Sequence, residues 1–260
     1  MIQSLWIGNR LPIMQQLCIT SFLQNGSSFS LYVYDKVKDI PQGTIVKDAS
    51  QLVPAERVFK YKDYDSYAGF SNLFRYKLLL EKGGYWVDTD VVCLKPFDFR
   101  SEYLFARVAE RGGVLHNLGR RHLIPAWLMK APKGSSIMDY CYHEALKRDP
   151  RELAWGETGR QLLTTAVYKL GLESYVVRPC TFFPIYWWQW EELINGSLMA
   201  SWKWKIVGPI SYAVHLYHEM WRRHNVDGDA FFPRNSIYEG LKRRYLSTAA
   251  PGTVSVKGFG

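Results

Sequence analysis

The residues with the clearest chemical potential are two aspartates, Asp88 and Asp90, separated by one threonine. On an extended chain, side chains two residues apart point to the same side, roughly 6.5–7 Å apart along the chain. Both carboxylates can therefore contact one hard cation, and oxygen-only ligands suit Mg²⁺ or Mn²⁺. A cation held in this way could bind a diphosphate, so the pair predicts a nucleotide-sugar site.

The Asp-x-Asp spacing alone is a weak signal, because it occurs three times, at residues 63–65, 88–90 and 227–229. The first and third copies lie in polar or glycine-containing stretches, and we expect both to be ordinary surface turns, which Asp favours through local hydrogen bonds. Asp88 and Asp90 instead lie inside an apolar run that continues to Leu94. A carboxylate in such a run is costly unless a partner compensates it, so a metal role is favoured for this pair.

A helix and a strand must position the pair. From Ala68 to Lys82 apolar residues recur at helical spacing, which predicts a helix that ends at Gly83-Gly84. Tyr85–Val87 is then predicted to be a strand, and Asp88 follows its last residue. In open α/β sheets, ligands bind beyond the carboxyl ends of the strands, which is where these aspartates lie.

The rest of the chain also alternates between strand and helix patterns. Strands are predicted at 2–7, 29–34, 103–108, 113–115, 175–177 and 212–216, and helices at 12–26, 135–147, 157–170 and 236–247. This alternation predicts an α/β fold with a mostly parallel central sheet flanked by helices. We expect one catalytic domain over residues 1–247 and a frayed tail over 248–260, which is rich in small residues.

Composition narrows the class of protein. The 260 residues are 47% hydrophobic and 15% aromatic, which is typical of a globular chain, and the aromatic excess suits either sugar stacking or core packing. The net charge of +9 favours polyanionic ligands, whereas no recognised nucleic-acid motif appears. The Lys242-Arg243-Arg244 cluster predicts either a solvated face or peripheral contact with an anionic membrane.

The cysteines and the apolar runs predict the compartment. The four cysteines are widely spaced, without a Cys-x-x-Cys pair, so we expect free thiols rather than a zinc site. No secretory signal is visible at the start, and no run approaches the roughly 20 apolar residues that span a bilayer. We therefore expect a cytoplasmic protein that is either free or peripheral at the inner face of the membrane.

A family resemblance rests on the segment from Phe70 to Phe97, with its helix, Arg75-Tyr76, paired glycines, aromatic strand and Asp-Thr-Asp. It resembles the DXD-motif glycosyltransferases that include the initiation-specific mannosyltransferases and the catalytic domains of large clostridial toxins. Two later pairs of motifs, 155–159 with 161–164 and 182–185 with 213–216, resemble the α-1,4-galactosyltransferase branch and its bacterial relatives. The resemblance implies a GT-A-type fold, a nucleotide-sugar donor, a divalent metal and retention of anomeric configuration.

The resemblance also implies roles for the central residues. Asp90 would ligate the metal directly, and Asp88 would contact the donor sugar or ribose and reach the metal through water. Arg75 would hydrogen-bond the donor sugar or a neighbouring carboxylate; its alternative is a structural salt bridge. Trp6 and Ile7 match the first strand, whose end cradles the nucleotide base, so Trp6 would either stack on uracil or pack in the core.

Later residues have weaker assignments. In the related enzymes a late His completes the metal shell or binds the diphosphate, which implies this role for His215 and, less strongly, for His218; the alternative is an ordinary satisfied polar residue. Trp221 would cap the diphosphate. Glu157 would either stabilise a helix N-terminus or contact acceptor hydroxyls and support the developing oxocarbenium ion.

Three departures from the family pattern concern the substrate pockets. Relatives usually carry Ser-Asp where this chain has Ser71-Asn72, so a donor-binding charge is replaced by an amide that still hydrogen-bonds. This affects donor choice or affinity. Gly159-Arg160 replaces a usual Gly-Pro, and Ala126-Trp127 replaces a usual Asn-Ala, so we expect a different acceptor pocket.

The resemblance implies a retaining transferase that moves a hexose, galactose or glucose, from a UDP-sugar to a saccharide of a surface polysaccharide or lipopolysaccharide, using Mn²⁺ or Mg²⁺. No covalent nucleophile can be identified from the sequence. Two alternatives remain: a metal-dependent phosphohydrolase, which usually needs more clustered Asp and His ligands, and a non-catalytic carbohydrate-binding protein that uses the aromatic residues.

Overall fold

The computed structural model describes residues 1–108 and 122–247. The strands in this part of the chain are β1 (Ile2–Trp6), β2 (Phe29–Val33), β3 (Ile45–Asp48), β4 (Gly84–Val87), β5 (Val91–Cys93), β6 (Leu104–Ala106), β7 (Leu128–Ala131), β8 (Val176–Val177) and β9 (Ala213–His215). The α-helices are α1 (Ile13–Gln24), α2 (Ala68–Lys82), α3 (Ser136–Leu146), α4 (Leu162–Lys169), α5 (Leu198–Val207), α6 (His218–Arg223) and α7 (Ile237–Tyr245).

Seven strands form the central sheet, in the order β3-β2-β1-β4-β7-β6-β8. The pairings show that β7 runs opposite to the other six strands of this sheet. One core cluster packs α2, α3 and α4 against one face of the sheet, and a second packs α1 against the other. The predicted α/β fold with a mostly parallel, helix-flanked sheet is confirmed.

The alternation along β4 explains how both faces of the sheet are filled. Trp86 points into the first cluster, whereas Tyr85 and Val87 point into the second. A strand covered on both faces is expected to be a nearly continuous apolar run, which is what its sequence shows. The strand is therefore a rigid support for whatever follows its last residue.

A second, two-stranded sheet joins distant parts of the chain. In it β5 and β9 pair antiparallel, with Val91 opposite His215. Asp90 immediately precedes the first strand, and His215 is the last residue of the second. Because of this register, the aspartate and the histidine must lie side by side.

Several sequence expectations can be compared with these elements. The predicted bounds of α2 agree with the structure, and strands at β1, β2, β4, β6, β8 and β9 are present within a few residues of their predicted positions. The predictions omitted β3, β5, β7, α5 and α6. The strand predicted at 113–115 and the tail 248–260 lie outside the described residues. No helix in the described ranges is long and apolar enough to cross a bilayer.

The other two Asp-x-Asp copies are surface turns, as predicted. Asp63, Asp65, Asp227 and Asp229 are all exposed and lie outside strands and helices. Asp65 pairs with Lys60, which is also exposed. Their carboxylates are therefore hydrated or held by exposed surface contacts, unlike those of the central pair.

Candidate active site

Asp88 lies where β4 leaves the sheet. The antiparallel pairing of β4 with β7 ends at Val87 opposite Leu128, and the Asp88 amide then donates to the Trp127 carbonyl at 2.8 Å. The Val91 amide donates back to the Asp88 carbonyl at 3.1 Å, which closes a tight turn before β5. The turn fixes the backbone of both aspartates at the carboxyl end of β4.

Asp90 is bonded to β9 and to the residues that follow it. Its Oδ1 lies 3.2 Å from Nε2 of His215, and its Oδ2 accepts a 2.9 Å hydrogen bond from the His218 amide. Its own carbonyl accepts from the Leu216 amide at 2.8 Å. Two contacts therefore orient this carboxylate before any ligand binds, and the third fixes the backbone of the same residue.

Three side chains form a candidate cation site. Asp88, Asp90 and His215 each offer one ligand atom, and these atoms all lie within 4.8 Å of one another. The set of two carboxylate oxygens and one imidazole nitrogen is suited to Mn²⁺, and carboxylates suit Mg²⁺. His215 is buried, and its Nδ1 has no hydrogen-bond partner within the described structure. Nε2 of the same ring faces Asp90, so two carboxylates and a buried imidazole converge, and this donor set fits the predicted metal.

Aromatic rings hold the histidine. The Trp127 ring stacks on His215 with centroids 4.5 Å apart and planes 21° apart, and Tyr217 contacts its edge at 4.4 Å. Tyr217 itself adopts a left-handed backbone with φ of 57°, and its hydroxyl donates to the Ile185 carbonyl at 2.7 Å. The imidazole plane is thus fixed by packing rather than by a hydrogen bond to Nδ1.

Arg75 contacts the carboxylate of Asp88. Its Nη2 lies 3.1 Å from Asp88 Oδ1, which also accepts a 2.7 Å hydrogen bond from Trp86 Nε1. The guanidinium donates to the Ser71 carbonyl and hydroxyl and to the Ala126 carbonyl. It also lies 4.7 Å above the Trp86 ring. Of the roles predicted for this arginine, the structure shows contact with a neighbouring carboxylate.

The two carboxylates differ in acidity. Burial raises the pKa of Asp88 above its ordinary value, and Arg75 only partly offsets this effect. Burial also opposes ionisation of Asp90, but the adjacent His215 and the His218 amide outweigh it and lower the pKa to about 2. As the pH falls, Asp88 is therefore protonated first, while Asp90 remains an anionic ligand.

Asn72 lies one turn from Arg75 on α2 and is buried. Its Nδ2 donates to the Thr158 hydroxyl at 3.4 Å, and a Cβ on Gly159 would lie 3.0 Å from the same nitrogen. Tyr76 also reaches this turn, where its hydroxyl donates to the Thr158 carbonyl at 2.9 Å. The departure from the family pattern therefore lies at a tight junction between α2 and the turn at 157–161.

We expect Asn72→Asp to fold, because the Thr158 hydroxyl can donate to a carboxylate where it now accepts from an amide. The resemblance implies that this position contacts the donor sugar, and a charged acceptor strengthens hydrogen bonds to hydroxyls, so we expect the KM for a UDP-sugar to fall roughly fivefold. Donor saturation curves of Asn72→Asp and wild type measure this effect. An unchanged or higher KM, at unchanged melting temperature, would show that the amide does not limit donor binding.

Glu157, Trp6 and Ile7 lie outside the Asp-Asp-His cluster. Glu157 heads the turn at 157–161, where it pairs with Arg148 at 2.8 Å and accepts from the Ala154 amide. Trp6, at the carboxyl end of β1, is half-buried and donates to the Arg10 carbonyl at 3.0 Å, and Ile7 follows it, also half-buried.

Trp221 is fully buried in a third core cluster. Its ring packs edge-on against Tyr238 at 4.9 Å and Phe232 at 5.6 Å. No ring surface is exposed, so the packing favours a structural role over the predicted contact with a diphosphate. His218 contributes its backbone amide to Asp90, and its side chain is not one of the three in the cation cluster.

The sequence reasoning missed the aromatic neighbours of the cluster. Trp86 was assigned only to a strand, although a buried indole two residues before an aspartate can reach it on the same side of an extended chain. Trp127 was noted only as a departure from the family pattern. No local signal shows that it lies on His215, because the contact depends on pairing β7 with β4.

We expect His215→Gln to weaken Mn²⁺ binding by about tenfold or more, since changes in the groups around a metal cost 10–100-fold. Titration calorimetry with Mn²⁺ alone measures this effect without requiring catalysis. His143→Gln is the matched control, because His143 is exposed and pairs only with Asp139 and local groups on α3. Equal Mn²⁺ affinity in wild type and His215→Gln would exclude this histidine as a ligand.

Comparisons with solved structures give distant likenesses. PaToxG glycosyltransferase aligns over 95% of this chain and 84% of its own, at 13% identity and a TM-score of 0.44. The bifunctional WbbM glycosyltransferase aligns over 94% of this chain but only 51% of its own, at 12% identity and 0.47. The galactosyltransferase LgtC, solved with donor and acceptor sugar analogues, aligns over 70% and 75%, at 11% identity and 0.40.

Comparison with family profiles is more specific. Residues 14–106 match the family described as "Glycosyltransferase sugar-binding region containing DXD motif". The matched range includes Arg75, Asp88 and Asp90 and ends before His215. No curated protein sequence matches the chain. For residues 14–106, this match confirms the resemblance to DXD-motif glycosyltransferases that the segment around Asp88 predicts.

Proposed function

We propose that this chain transfers a hexose from a UDP-sugar to a saccharide acceptor, because residues 14–106 match a glycosyltransferase region that contains the DXD motif. One observation carries the proposal: Asp88, Asp90 and His215 gather their ligand atoms within 4.8 Å at the carboxyl end of β4. Two of these residues lie in the matched region, and β9 supplies the third. The site therefore combines the DXD motif with a donor set of two carboxylates and one imidazole.

We assign different roles in the proposed reaction to the residues around the site. Asp90 and His215 would hold a divalent cation, with Asp88 beside them. A bound Mn²⁺ or Mg²⁺ would neutralise charge that develops on the β-phosphate of the donor. Arg75 holds Asp88 in place from a buried position. Since its Nε and both terminal nitrogens already contact protein groups, we assign it the role of a positioning residue.

The proposed reaction retains the anomeric configuration. The acceptor hydroxyl forms a bond to the anomeric carbon on the face from which the diphosphate departs. The bond between that carbon and the phosphate oxygen breaks, and the hydroxyl proton passes to the departing phosphate. The chain supplies orientation and charge stabilisation for this step, and we assign no covalent nucleophile.

The donor and acceptor are proposed from the surroundings of the site. Trp6 lies at the carboxyl end of β1, which pairs with β4, so its half-buried ring is suited to contact a uracil near the cation site. We favour UDP-galactose or UDP-glucose as the donor and a growing surface polysaccharide or lipopolysaccharide as the acceptor. The net charge of +9 suits these anionic ligands.

A metal-dependent phosphohydrolase is less well supported. In residues 1–108 and 122–247, the structure gathers one group of three metal-type ligands, and those hydrolases usually need more. The glycan-binding alternative has no specific observation in its favour, because many of the large aromatic rings pack in the core, including Trp86 and Trp221.

The experiment incubates purified protein with a panel of nucleotide sugars and Mn²⁺ and measures free nucleotide with and without a chelator. We expect release from one UDP-hexose, suppressed by the chelator. With an acceptor supplied, NMR of the product should show the anomeric configuration of the donor. Release from no donor, together with hydrolysis of simple phosphoesters, would replace this proposal with the hydrolase.

A further inference from the structure

Helix α5 and the turn after it expose large apolar side chains in an unusual concentration. Leu198 is 84% exposed, Met199 79% and Trp202 68%. Ile206 and Ile210 are also exposed. We call these five residues the α5 patch. Large apolar side chains exposed singly are ordinary, but a cluster of this size on a monomer usually marks an interaction surface.

The four patch residues within α5 lie on one face of the helix. At about 100° per residue, Leu198, Trp202, Ile206 and Met199 fall within an arc of about 100°. The opposite face carries Ala200, which is buried, and Trp204, which packs against the third core cluster. The helix is therefore held to the core by one face while the other presents leucine, tryptophan and isoleucine to solvent.

Basic residues border the apolar arc. Lys205 and Lys203 flank it on its two sides, and Lys203 neutralises Glu192 at 3.0 Å. Lys205 is exposed and forms no ion pair within the described structure. An apolar arc with tryptophan, edged by lysines, is the arrangement of helices that lie in the headgroup region of a bilayer.

A neighbouring loop extends the basic border. Asn235 fastens it to α5, because its Nδ2 donates to the Gly196 carbonyl at 2.6 Å and its carbonyl accepts from Ser201 at 3.2 Å. Arg234, the preceding residue, is exposed and forms no ion pair within residues 1–108 and 122–247. Phe231, three residues earlier, is 94% exposed. Lys205 and Arg234 therefore place two unpaired positive charges beside the patch, which complement an anionic surface.

We propose that the α5 patch docks this chain onto an anionic lipid bilayer, with α5 lying in the interface. The apolar side chains enter the boundary between headgroups and acyl chains, and Lys205 and Arg234 remain at the level of the lipid phosphates. This surface differs from the Lys242-Arg243-Arg244 cluster considered from the sequence. The inference does not depend on the proposed sugar transfer.

Co-sedimentation with vesicles tests the proposal. The probes are phosphatidylcholine vesicles with and without phosphatidylglycerol, and the protein is the full chain. We expect binding to the anionic vesicles that weakens as salt is raised. In a triple variant, Leu198→Ser with Trp202→Ser and Ile206→Ser, the apparent affinity should fall at least about tenfold, because each buried aliphatic or aromatic side chain contributes on that scale.

Two further variants sharpen the result. Lys205→Gln with Arg234→Gln should weaken binding to anionic vesicles roughly tenfold or more, since each basic residue near the surface contributes about fivefold. Leu146→Ser with Leu170→Ser is the control, because both leucines are exposed apolar residues away from α5, one at the end of α3 and one directly after α4. The control should bind as wild type does, and every variant should keep its helical circular dichroism.

Two outcomes would overturn the proposal. One is wild-type protein that stays in the supernatant with both vesicle types. The other is a triple variant that binds as well as wild type. Light scattering adds a further test: a wild-type dimer that the triple variant converts to monomer would assign the patch to a second copy of the chain and would also overturn the proposal.

Discussion

Asp90→Asn should reduce metal-dependent release of nucleotide from the donor by roughly 10²–10³-fold, the usual effect of removing one preorganised electrostatic contact. The amide oxygen can still accept from the His218 amide, so the local backbone is preserved. The negative charge that faces His215, and that would face the proposed cation, is lost. Initial rates at saturating Mn²⁺ and donor measure the effect.

The chain offers a matched control for this substitution. Asp63→Asn changes an aspartate in the same Asp-x-Asp spacing, but Asp63 is exposed and lies in a surface turn. We expect it to retain the wild-type rate. Equal rates for Asp90→Asn and wild type would remove Asp90 from the catalytic site, whereas equal loss in both variants would implicate general damage rather than the cation site.

Arg75→Ala should lower the free energy of unfolding by about 2–4 kcal/mol, somewhat below the cost of breaking a fully buried ion pair because Asp88 is partly exposed. The Arg75 side chain is 4% exposed, compared with 29% for Asp88. Its removal leaves the Ala126 carbonyl and the Asp88 carboxylate without this donor, and exposes the face of Trp86. Denaturant titration measures the loss.

Arg75→Lys separates charge from geometry. Lysine keeps the positive charge but cannot contact Asp88, Ser71 and Ala126 at once, so stability and rate should both lie between wild type and Arg75→Ala. Arg151→Ala is the control, since Arg151 pairs with Asp149 on the surface, and we expect its unfolding free energy to be unchanged. Wild-type stability in Arg75→Ala would contradict the contact network described here.

The segment that carries the aspartates could be predicted from sequence because its signals are local. The apolar stripe of α2 and the paired glycines define the helix and its end. Gly83 adopts a φ of 65°, and a Cβ there would lie 2.5 Å from the Lys133 amide nitrogen, so only glycine fits. The strand that follows is a short apolar run. Position and spacing therefore sufficed to place Asp88 and Asp90.

The third ligand could not be derived in the same way. His215 follows Asp90 by more than a hundred residues, and the register of β5 against β9 alone brings the two together. β5 has three residues and is buried throughout, so it shows neither helical nor alternating periodicity. The resemblance, not the residue pattern, singled out His215. Its contact with Trp127 likewise depends on distant strand pairing.

The omission of α5 has a physical cause. Its exposed arc and its packed face are both apolar, so the sequence lacks the alternation of apolar and polar faces that identifies a surface helix. The apolar residues on the exposed face prevented the helix from being predicted, and the same residues suggest a contact with a bilayer. The start of α6 was missed for another reason, because it follows a left-handed turn at Tyr217 that the sequence does not indicate.

The most direct test of the central claim is calorimetric titration of UDP into the protein with and without Mn²⁺. The account predicts saturable binding at one site only when Mn²⁺ is present, lost in Asp90→Asn and kept in Asp63→Asn. Equal UDP binding without Mn²⁺, or undetectable UDP binding in its presence, would contradict the assignment of Asp88, Asp90 and His215 to a cation and diphosphate site.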